Sequence, residues 1–421
     1  PRRSPRPFTA ADSATRPRMS TTLKLMLGLG TAALLGRLRA STDDRPPLMR
    51  QKAYRHLPGL PPRDAPPPYE PAYGAQKCAG GMPPKPEDDC GASAPGFALK
   101  LLAELAADRE NCFASPLSLA TALKMVEAGA TDGSKHQAAL RAAVGAFDVS
   151  VEGVDAANAI YARASIKPAF TETLHERFGA TAAAMPATAA PVNKWVSDKT
   201  RGLIDKLVED GTVQDPLVKA LLLNAIYFKG SWATPFDEKK SKEGPFAAPG
   251  RKVTATFMSS KGRVVASRQR GVGAAVALPY SEHGLRMVLA LPEAEGLEGA
   301  RDLAAALPAQ WAALRPGDDE EMLDLRVPRF KIDSGVVDVL ELLCSKFDLA
   351  VIRDEDDGFL KMSDARDLHV GAVLHRAVVE VNEEGTVAAA ATAAVMTDSC
   401  AAPACDGMFF DRPFVFLIEH E

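Results

Sequence analysis

Apolar positions in residues 94–421 follow two spacings, one typical of helices and one typical of strands. An apolar residue every three or four positions predicts helices over residues 95–107, 116–129, 191–208 and 335–347. Alternating or continuous apolar runs predict strands at residues 157–163, 218–228, 272–279, 285–291, 322–330, 373–381 and 414–418. The two kinds of element follow one another without a regular strand–helix–strand order, which favours an α+β fold.

Two of the predicted helices carry further local signals. Ser115 precedes a proline, and this pair is typical of a helix N-cap followed by the first helical residue. In the helix predicted over 191–208, Trp195, Leu203 and Leu207 fall on one face. We therefore expect that face to pack on the core.

The segment 382–399 is unusually rich in small, uncharged residues. In a strand its side chains would alternate between two faces. One face would then carry only small and uncharged residues, namely Thr386, Ala388, Ala390, Thr392 and Ala394. A sheet could bury that face without desolvating a charge, and the alanine content also allows a loop or a helix. A segment that can lie either outside or inside a sheet meets the physical requirement for a loop-insertion switch.

The first part of the chain differs from the body. Prolines are dense in residues 41–93, where they interrupt helices and sheet ladders, so we expect a disordered linker. Residues 1–40 contain Lys24 followed by an apolar stretch at 25–35, which is typical of a secretory signal. The alternative is an organelle transit peptide, because these residues are rich in Arg and Ser and contain one acid, Asp12. We expect an extracellular protein, with an organelle or cytoplasmic location as the alternatives.

Composition limits the classes of function. Of the 421 residues, 46% are hydrophobic and 25% are charged, which is ordinary for a globular protein. No run of twenty apolar residues follows position 40, so no membrane-spanning helix is expected there. The net charge of −4 and the pI near 6.1 favour neither nucleic acid nor an anionic membrane as a partner. Catalytic and nucleotide-binding motifs are absent from the sequence, so we expect no enzyme activity.

Six cysteines are spread over the chain and do not form a disulfide framework. Cys78 and Cys90 flank a short Pro/Gly loop and could pair in an oxidising compartment. Neither C-x-x-C nor a Cys/His spacing typical of zinc occurs, so no metal and no cofactor is expected. Cys400 and Cys405 are either two incidental exposed thiols or a redox-sensitive pair.

Five motifs in the body of the chain resemble, in the same order, those of one known family. They lie at 111–123 (NCFASPLSLATAL), 223–236 (LNAIYFKGSWATPF), 327–332 (VPRFKI), 375–386 (HRAVVEVNEEGT) and 412–416 (RPFVF). Over nearly all of residues 94–421 the chain thus resembles the serpins, the serine protease inhibitors. The resemblance implies an α+β serpin fold of three β-sheets and about eight or nine helices, with residues 382–410 exposed as a reactive loop.

The resemblance also implies suicide inhibition of a serine protease. The protease attacks the loop as a substrate and forms a covalent acyl-enzyme, and the cut loop then enters the large sheet as a new strand. If each inserted residue gains roughly 1 kcal/mol, insertion of about a dozen residues releases on the order of 10 kcal/mol. The uncut state is then kinetically trapped. We expect a monomer that can also form loop–sheet polymers.

By the same resemblance, the hinge of the loop consists of Glu384, Gly385, Thr386, Val387, Ala388, Ala389, Ala390, Ala391 and Thr392. Gly385 supplies backbone freedom, and Thr386 is the first side chain that insertion would bury. The family's spacing from Gly385 places the scissile bond between Ser399 and Cys400, or one residue later. Either bond suggests an elastase-like or subtilisin-like protease with a small primary pocket, and Met396 offers a second site for a chymotrypsin-like enzyme.

Polar residues beneath the large sheet are assigned by the resemblance as well. Ser115, Ser118, Asn224 and His375 fall at the family's shutter, where strands must separate, and Trp232 falls at the breach, at the top of the opening. Such side chains can exchange hydrogen bonds while strands slide, without leaving a polar atom unpaired.

Two features depart from the family's pattern. Few residues separate Gly145 from Asn158, where the family usually has a further helix that carries the glycosaminoglycan site, so no heparin activation is expected. The family also adds a final buried strand beyond the region that ends here at Glu421. We therefore expect the small sheet to lack this strand and to expose apolar edges.

Three functions compete at this point. The leading hypothesis is an inhibitor of serine proteases. The alternatives are a non-inhibitory serpin that acts as a carrier, chaperone or storage protein, and an inhibitor of cysteine proteases. Non-inhibitory members tend to carry bulky, charged or Pro residues in the hinge, and the sequence has none between Thr386 and Val395.

Overall fold

The computed structural model describes residues 24–30, 94–145, 154–228, 230–281, 284–386 and 406–420. The predicted linker and most of the predicted reactive loop lie outside these residues. The domain boundaries expected from the sequence therefore stay a prediction.

Eight α-helices occur in the described part of the chain. They are α1 (Ala94–Ala106), α2 (Pro116–Gly129), α3 (Lys135–Val144), α4 (Pro168–Phe178), α5 (Ala190–Lys199), α6 (Asp210–Gln214), α7 (Gly296–Leu314) and α8 (Leu340–Lys346). Ser115 caps α2 as expected, because its side chain accepts a hydrogen bond from the backbone N–H of Ser118. None of the described helices is long and apolar enough to cross a membrane.

Strands account for most of the remaining described elements. In the first half of the chain they are β1 (Lys24–Gly30), β2 (Cys112–Ala114), β3 (Val154–Ala162), β4 (Thr181–Ala184), β5 (Ala220–Phe228), β6 (Gly230–Ser231), β7 (Lys242–Ala248) and β8 (Arg251–Gln269). In the second half they are β9 (Gly273–Pro279), β10 (Leu285–Pro292), β11 (Glu320–Pro328), β12 (Phe330–Asp333), β13 (Val337–Asp338), β14 (Val370–Asn382), β15 (Gly385–Thr386), β16 (Asp406–Phe409) and β17 (Phe414–His420).

The first sheet has the strand order β4-β3-β5-β14-β15-β6, and β12 and β13 also pair with β14. Its strand β5 is antiparallel to β3 and parallel to β14. Every residue of β5 is buried, as expected for a central strand that is covered on both faces. Leu222 belongs to one core cluster with Leu119 of α2, whereas Leu221 and Leu223 belong to another with Val192 of α5. Helices therefore cover this sheet on both sides.

The second sheet has the strand order β16-β11-β8-β9-β10-β17-β1-β2, and β7 also pairs with β8. Its longest strand, β8, has 19 residues and joins two groups of strands. Residues 257–265 of β8 pair with β11, and residues 265–269 pair with β9. The mixture of helices and largely antiparallel sheets confirms the predicted α+β class.

Strand β1 lies between β17 and β2 and is antiparallel to both. Lys24 pairs with His420, and Gly30 pairs with Phe414. Because β17 also pairs with β10, it has a neighbour on each side, so β1 covers the edge that the sequence led us to expect as exposed. The residues of β1 fall within residues 1–40, whose role as a targeting segment stays a prediction.

One predicted helix is shorter than expected. The helix predicted over 191–208 ends as α5 at Lys199, so the prediction for the following residues is wrong. The physical reason is a left-handed turn, because Arg201 and Gly202 have φ angles of 54° and 78°. Leu203 is consequently exposed, although it has the same spacing as buried helical residues.

Two further boundaries differ from the sequence prediction. The helix expected from residue 335 begins at Leu340 as α8, because Gly335 has a φ of 63° and β13 then pairs with β14. The run at 322–330 belongs to two strands, β11 and β12, which pair in different sheets. Pro328 ends β11, and the chain changes sheet at this point.

Candidate functional site

Strands β5 and β14 are neighbours in the first sheet and pair in parallel. Their register joins Val370 with Ala220 at one end and Val378 with Tyr227 at the other. We call this direct pairing the seam. Beyond Val378, β14 continues to Asn382 and leads into the hinge.

The described part of the hinge, residues 384–386, lies at this end of the seam. Gly385 and Thr386 form β15, which is antiparallel to β14 on one side and to β6 on the other. Thr386 pairs with both Val381 of β14 and Gly230 of β6. β6 follows β5 closely in the sequence, so β15 lies between the extensions of the two seam strands. The first two residues of an additional strand are therefore already paired in the sheet, next to the Val378–Tyr227 end of the seam.

Close backbone packing explains why glycine occupies position 385. Gly385 has a φ of 149°, which side-chain-bearing residues rarely adopt. A Cβ atom placed there would lie 2.1 Å from the carbonyl oxygen of Gly230 and 2.7 Å from Cα of Ser231. Residue 385 can therefore approach β6 only without a side chain.

Trp232 holds the turn that precedes β15. Its Nε1–H donates to the carbonyl of Asn382 at 2.9 Å, and its backbone N–H donates to the carbonyl of Glu384 at 2.9 Å. The buried indole stacks on Tyr280, with ring centroids 4.6 Å apart and an interplanar angle of 14°. The structure thus places Trp232 against the hinge, where the sequence predicted it, although its role in the breach stays a prediction.

Glu383 anchors the same turn by its charge. Its carboxylate is buried and accepts hydrogen bonds from Arg329 Nε at 2.7 Å and from the Ser241 hydroxyl. The Glu383 carbonyl also accepts from the backbone N–H of Phe236 at 2.8 Å. A buried carboxylate requires such partners. Sequence reasoning missed this pair, although a charged residue directly after a long apolar strand was a usable signal.

The four predicted shutter residues come together beneath the seam. His375 Nε2 accepts a hydrogen bond from the backbone N–H of Ser115 at 3.2 Å. Nε2 is therefore unprotonated, so Nδ1 carries the proton and donates to Asn224 Oδ1 at 2.5 Å. Asn224 Nδ2 in turn donates to the Ser118 hydroxyl. We call these side chains, together with Asn158, the shutter network.

Asn158 is the member of the shutter network that sequence reasoning missed. It pairs with Asn224 across β3 and β5, and its Oδ1 accepts from Asn224 Nδ2 at 2.6 Å. Residues of β14 alternate between faces, and His375 lies on the same side as Val373 and Ala377, which belong to the core clusters below. The alternation of side chains along β14 therefore places His375, and with it the network, on the face of the sheet that is buried against the core.

Burial also determines the charge of the network. Desolvation lowers the pKa of His375 to about 4, although its hydrogen bond with Asn224 acts in the opposite direction. His375 is thus neutral near pH 7, which matches its acceptor role toward Ser115. The shutter network is an uncharged, fully hydrogen-bonded group at the point where β5 and β14 meet.

Several predicted site residues lie outside the described part of the chain. They are the hinge residues Val387, Ala388, Ala389, Ala390, Ala391 and Thr392, and the proposed scissile pair Ser399 and Cys400. Their assignments stay predictions.

A family model described as "Serpin (serine protease inhibitor)" matches residues 92–421. The chain belongs to the serpin family. This confirms the family that the five motifs predicted. The described hinge residues and the shutter network all fall inside the matched range of this serpin.

Curated serpins from animals and plants are similar to the chain over most of their own length. Serpin B6 of Macaca fascicularis is 33% identical over 360 residues, which cover 77% of this chain and 93% of the relative. Serpin-ZXA of Oryza sativa subsp. japonica is 33% identical over 380 residues, with coverages of 77% and 92%. Leukocyte elastase inhibitor of Bos taurus is 31% identical over 352 residues, with coverages of 74% and 89%.

Solved serpin structures share the fold. AtSerpin1 of Arabidopsis, in its native stressed conformation, has a TM-score of 0.64 at 24% identity and covers 77% of this chain and 95% of its own. Uncleaved ovalbumin has a TM-score of 0.66 at 19% identity, with coverages of 78% and 98%. At these identities the likeness concerns the fold alone, and it confirms the predicted serpin fold. The described strands form two sheets and not the three that we expected, because β8 pairs with two groups of strands and joins them in one sheet.

Proposed function

We propose that this serpin inhibits a serine-type endopeptidase through cleavage of its reactive loop and insertion of the cut loop into the first sheet. The observation that carries the proposal is the position of Thr386. This residue is fully buried between β14 and β6, just beyond the end of the seam. A strand that begins at Gly385 can lengthen in the sheet only by separating β5 from β14.

The register of β15 indicates which residues would meet in the longer strand. We continue the antiparallel pairing of Thr386 with Val381 along the same face of the sheet. The next three pairs on this face are Ala388 with Val379, Ala390 with Ala377, and Thr392 with His375. Directly opposite residues share a face of the sheet. The inserted side chains on the core side would therefore be small, and Thr392 would bring a hydroxyl to the shutter network.

The energetic balance favours insertion. The seam would lose one parallel ladder, and the inserted strand would gain two antiparallel ladders in its place. The net gain is one ladder. If each of its hydrogen bonds contributes roughly 1 kcal/mol, insertion of about a dozen residues releases on the order of 10 kcal/mol. That amount is comparable to the stability of a whole domain, and it supplies the work needed to distort an attached protease.

An elastase-like or subtilisin-like protease is the proposed target. Cleavage between Ser399 and Cys400 would present a small side chain to the primary pocket of the protease. A relative at 31% identity is named leukocyte elastase inhibitor, which supports the elastase-like choice. A cysteine protease would use the same loop and is tested by including one in the protease panel.

The test incubates the full chain with elastase, subtilisin and a papain-like protease. We expect an SDS-stable complex with elastase or subtilisin, and mass spectrometry should place the cut within residues 396–402. A cut elsewhere would overturn the assigned bond. Complete cleavage without any complex would overturn the inhibitory function and favour a non-inhibitory serpin.

A matched pair of variants at Thr386 tests the insertion step itself. Thr386→Arg would bury a charge without a partner, so we expect the loop to be cut at an unchanged rate without complex formation. Thr386→Ser keeps the hydroxyl and a small volume, so it should still form the complex. Equal complex formation by both variants would contradict strand insertion.

We also propose that the protein is secreted, in which case removal of a signal at residues 24–35 would also remove β1, and the pairing of β1 with β17 would apply to the unprocessed chain. The support is the basic and apolar pattern at residues 24–35, which is typical of a secretory signal. Expression of the full chain, with sequencing of the N-terminus of the protein recovered from the medium, tests this proposal. Retention of the chain within the cell would overturn it.

A further inference from the structure

Three potential metal ligands meet away from the hinge and the shutter network, at the start of α3. They are His136, Asp354 and Asp356, and one ligand atom from each lies within 4.8 Å of the others. Among the described residues, these are the only three His, Cys, Asp or Glu side chains found in such a group. More than 200 residues separate His136 from the two aspartates, so no local spacing in the sequence indicated the group.

The ring of His136 is buried and has no hydrogen-bond partner. Its side chain is 1% exposed, and neither Nδ1 nor Nε2 makes a hydrogen bond of normal geometry. Polar side-chain atoms that are buried without a partner are rare and call for an explanation. Nε2 lies 3.5 Å from Asp356 Oδ1, so the ring faces the two carboxylates.

Packing fixes the direction of this ring. His136 packs edge-on against Phe359, with ring centroids 4.9 Å apart. Gly358 also packs close to the ring, because an added Cβ there would be 2.3 Å from His136 Cε1. Since both contacts restrict the imidazole, Nε2 is held in a ligand-like orientation without being hydrogen-bonded. Such preorganisation is what a metal site requires.

The ammonium group of Lys135 lies between the two carboxylates. Lys135 Nζ is 2.5 Å from Asp354 Oδ2 and 3.0 Å from Asp356 Oδ2. The Lys135 side chain is 59% exposed, so it can move into solvent when another cation takes its place. Its position shows where the two carboxylates attract positive charge.

We propose that His136, Asp354 and Asp356 form a binding site for a divalent transition metal of the zinc class. One imidazole nitrogen and two carboxylate oxygens are the donor types that Zn²⁺ accepts, and water can complete a tetrahedral shell. Binding requires a neutral imidazole.

The metal would join two distant parts of the chain. His136 belongs to the first turn of α3, and the aspartates belong to the segment between the short 3₁₀ helices Ala350–Arg353 and Asp357–Phe359. Because none of the three residues contacts the hinge or the shutter network, we expect the metal to raise thermal stability without changing protease inhibition.

The test titrates zinc chloride into the metal-free full chain by calorimetry and records the absorption spectrum of the cobalt-loaded protein. We expect one metal per chain and tetrahedral cobalt bands without thiolate charge transfer. The double variant D354N/D356N should weaken zinc binding by at least about tenfold. Asp356 accepts from the N–H of Gly358 at 2.9 Å, and the amide oxygen that D356N introduces can still accept this bond, so the fold should survive.

Two further variants make the outcome decisive. K135Q removes the competing ammonium, so it should bind zinc more tightly than the unmodified chain. D318N/D319N removes the same charge from two exposed residues outside the group and should leave binding unchanged. The proposal fails if zinc binding survives in D354N/D356N, if K135Q binds no more tightly, or if the cobalt spectrum shows cysteine ligation.

Discussion

The hydroxyl groups of Tyr280 and Thr386 lie 2.7 Å apart and form a buried hydrogen bond. This bond joins the residue after β9 of the second sheet to Thr386, the first hinge residue whose side chain is buried. Tyr280 also stacks on Trp232, which is hydrogen-bonded to the turn before β15. The uncut loop is therefore held at its amino-terminal end by a specific set of contacts.

Removing that bond should loosen the end of the loop. Tyr280→Phe leaves the Thr386 hydroxyl without its partner, so we expect the free energy of unfolding to fall by about 1 kcal/mol. Urea denaturation followed by tryptophan fluorescence measures this change. Tyr161→Phe is a suitable control, because Tyr161 lies in β3 and is not part of the contact with Thr386. Equal losses in both variants would contradict a specific role for the Tyr280 hydroxyl.

Replacing Gly385 should expel β15 from the sheet. In Gly385→Ala the new Cβ would collide with the backbone of Gly230, so we expect a loss of about 1–3 kcal/mol and slower complex formation with the target protease. Stopped-flow inhibition kinetics measure the second effect. Gly262→Ala is the matched control, because a Cβ at Gly262 meets no atom within 4 Å. Unchanged kinetics in Gly385→Ala would show that the glycine is dispensable.

The shutter network should make the uncut state sensitive to acid. The folded pKa of His375, about 4, lies below the ordinary value of 6.5, so the unfolded chain binds this proton first as the pH falls. The stabilisation is complete above pH 6.5 and is lost between pH 6.5 and 4, up to about 3 kcal/mol. Protonated His375 could no longer accept from Ser115, so we expect faster polymerisation at about pH 5 than at about pH 7.5.

His375→Asn provides the control for this pH dependence. The variant should be less stable at neutral pH and polymerise more readily, but it should lose most of the difference between the acidic and the neutral condition. The pKa of His136 is also lowered by burial, so His136 contributes, together with carboxylates such as Asp333, to the pH dependence that remains in the variant. An unchanged pH dependence in His375→Asn would exclude His375 as its source.

Arg329 should be essential because Glu383 is buried. Arg329→Met would leave the buried Glu383 carboxylate without its cation, and because the Arg329 side chain is itself 44% exposed we expect a loss of about 1–3 kcal/mol. The double variant R329M/E383M should recover much of that loss, because no charge remains buried. Arg326→Met, at an exposed ion pair with Asp324, should cost less than about 1 kcal/mol. Urea unfolding of the four proteins completes the comparison.

The N-terminal segment should protect β17, because its strand β1 pairs with β17. Deleting residues 1–40 removes the strand that pairs with β17 and β2, so amide hydrogen exchange in residues 414–420 should become faster. Deleting only residues 1–23 keeps β1 and should leave exchange unchanged. Equal protection in both truncated proteins would contradict the pairing of β1 with β17.

The sequence was sufficient for the fold class, because it depends on motifs of fixed residue order. The same motifs pointed to four residues of the network that the structure brings together, whereas their role as a shutter stays a prediction. Asn158 was missed because its contact with Asn224 depends on strand register, which no motif at Asn158 reveals. The end of α5 was missed because Leu203 and Leu207 keep helical spacing while Arg201 and Gly202 turn the chain. Apolar spacing therefore predicted neither the backbone conformation of residues 201–202 nor the exposure of Leu203.

Contacts between distant residues limited the prediction of the site. Glu383 and Arg329 lie in separate motifs, and only the folded chain shows that the exposed guanidinium of Arg329 pairs with the buried carboxylate of Glu383. The group formed by His136 and the two aspartates has the same origin. Charges that meet through the tertiary fold leave no periodic signal in a single sequence.

The order of strands also matters while the chain is being made. β14 lies between β5 and β15 in one sheet, and β17 lies between β10 and β1 in the other, although both follow their neighbours β5 and β10 by more than 100 residues in the chain. Until residues 370–420 have left the ribosome, β5 and β10 each lack one of their two neighbours in the sheet. The nascent serpin must therefore be protected from aggregation until these residues have been translated.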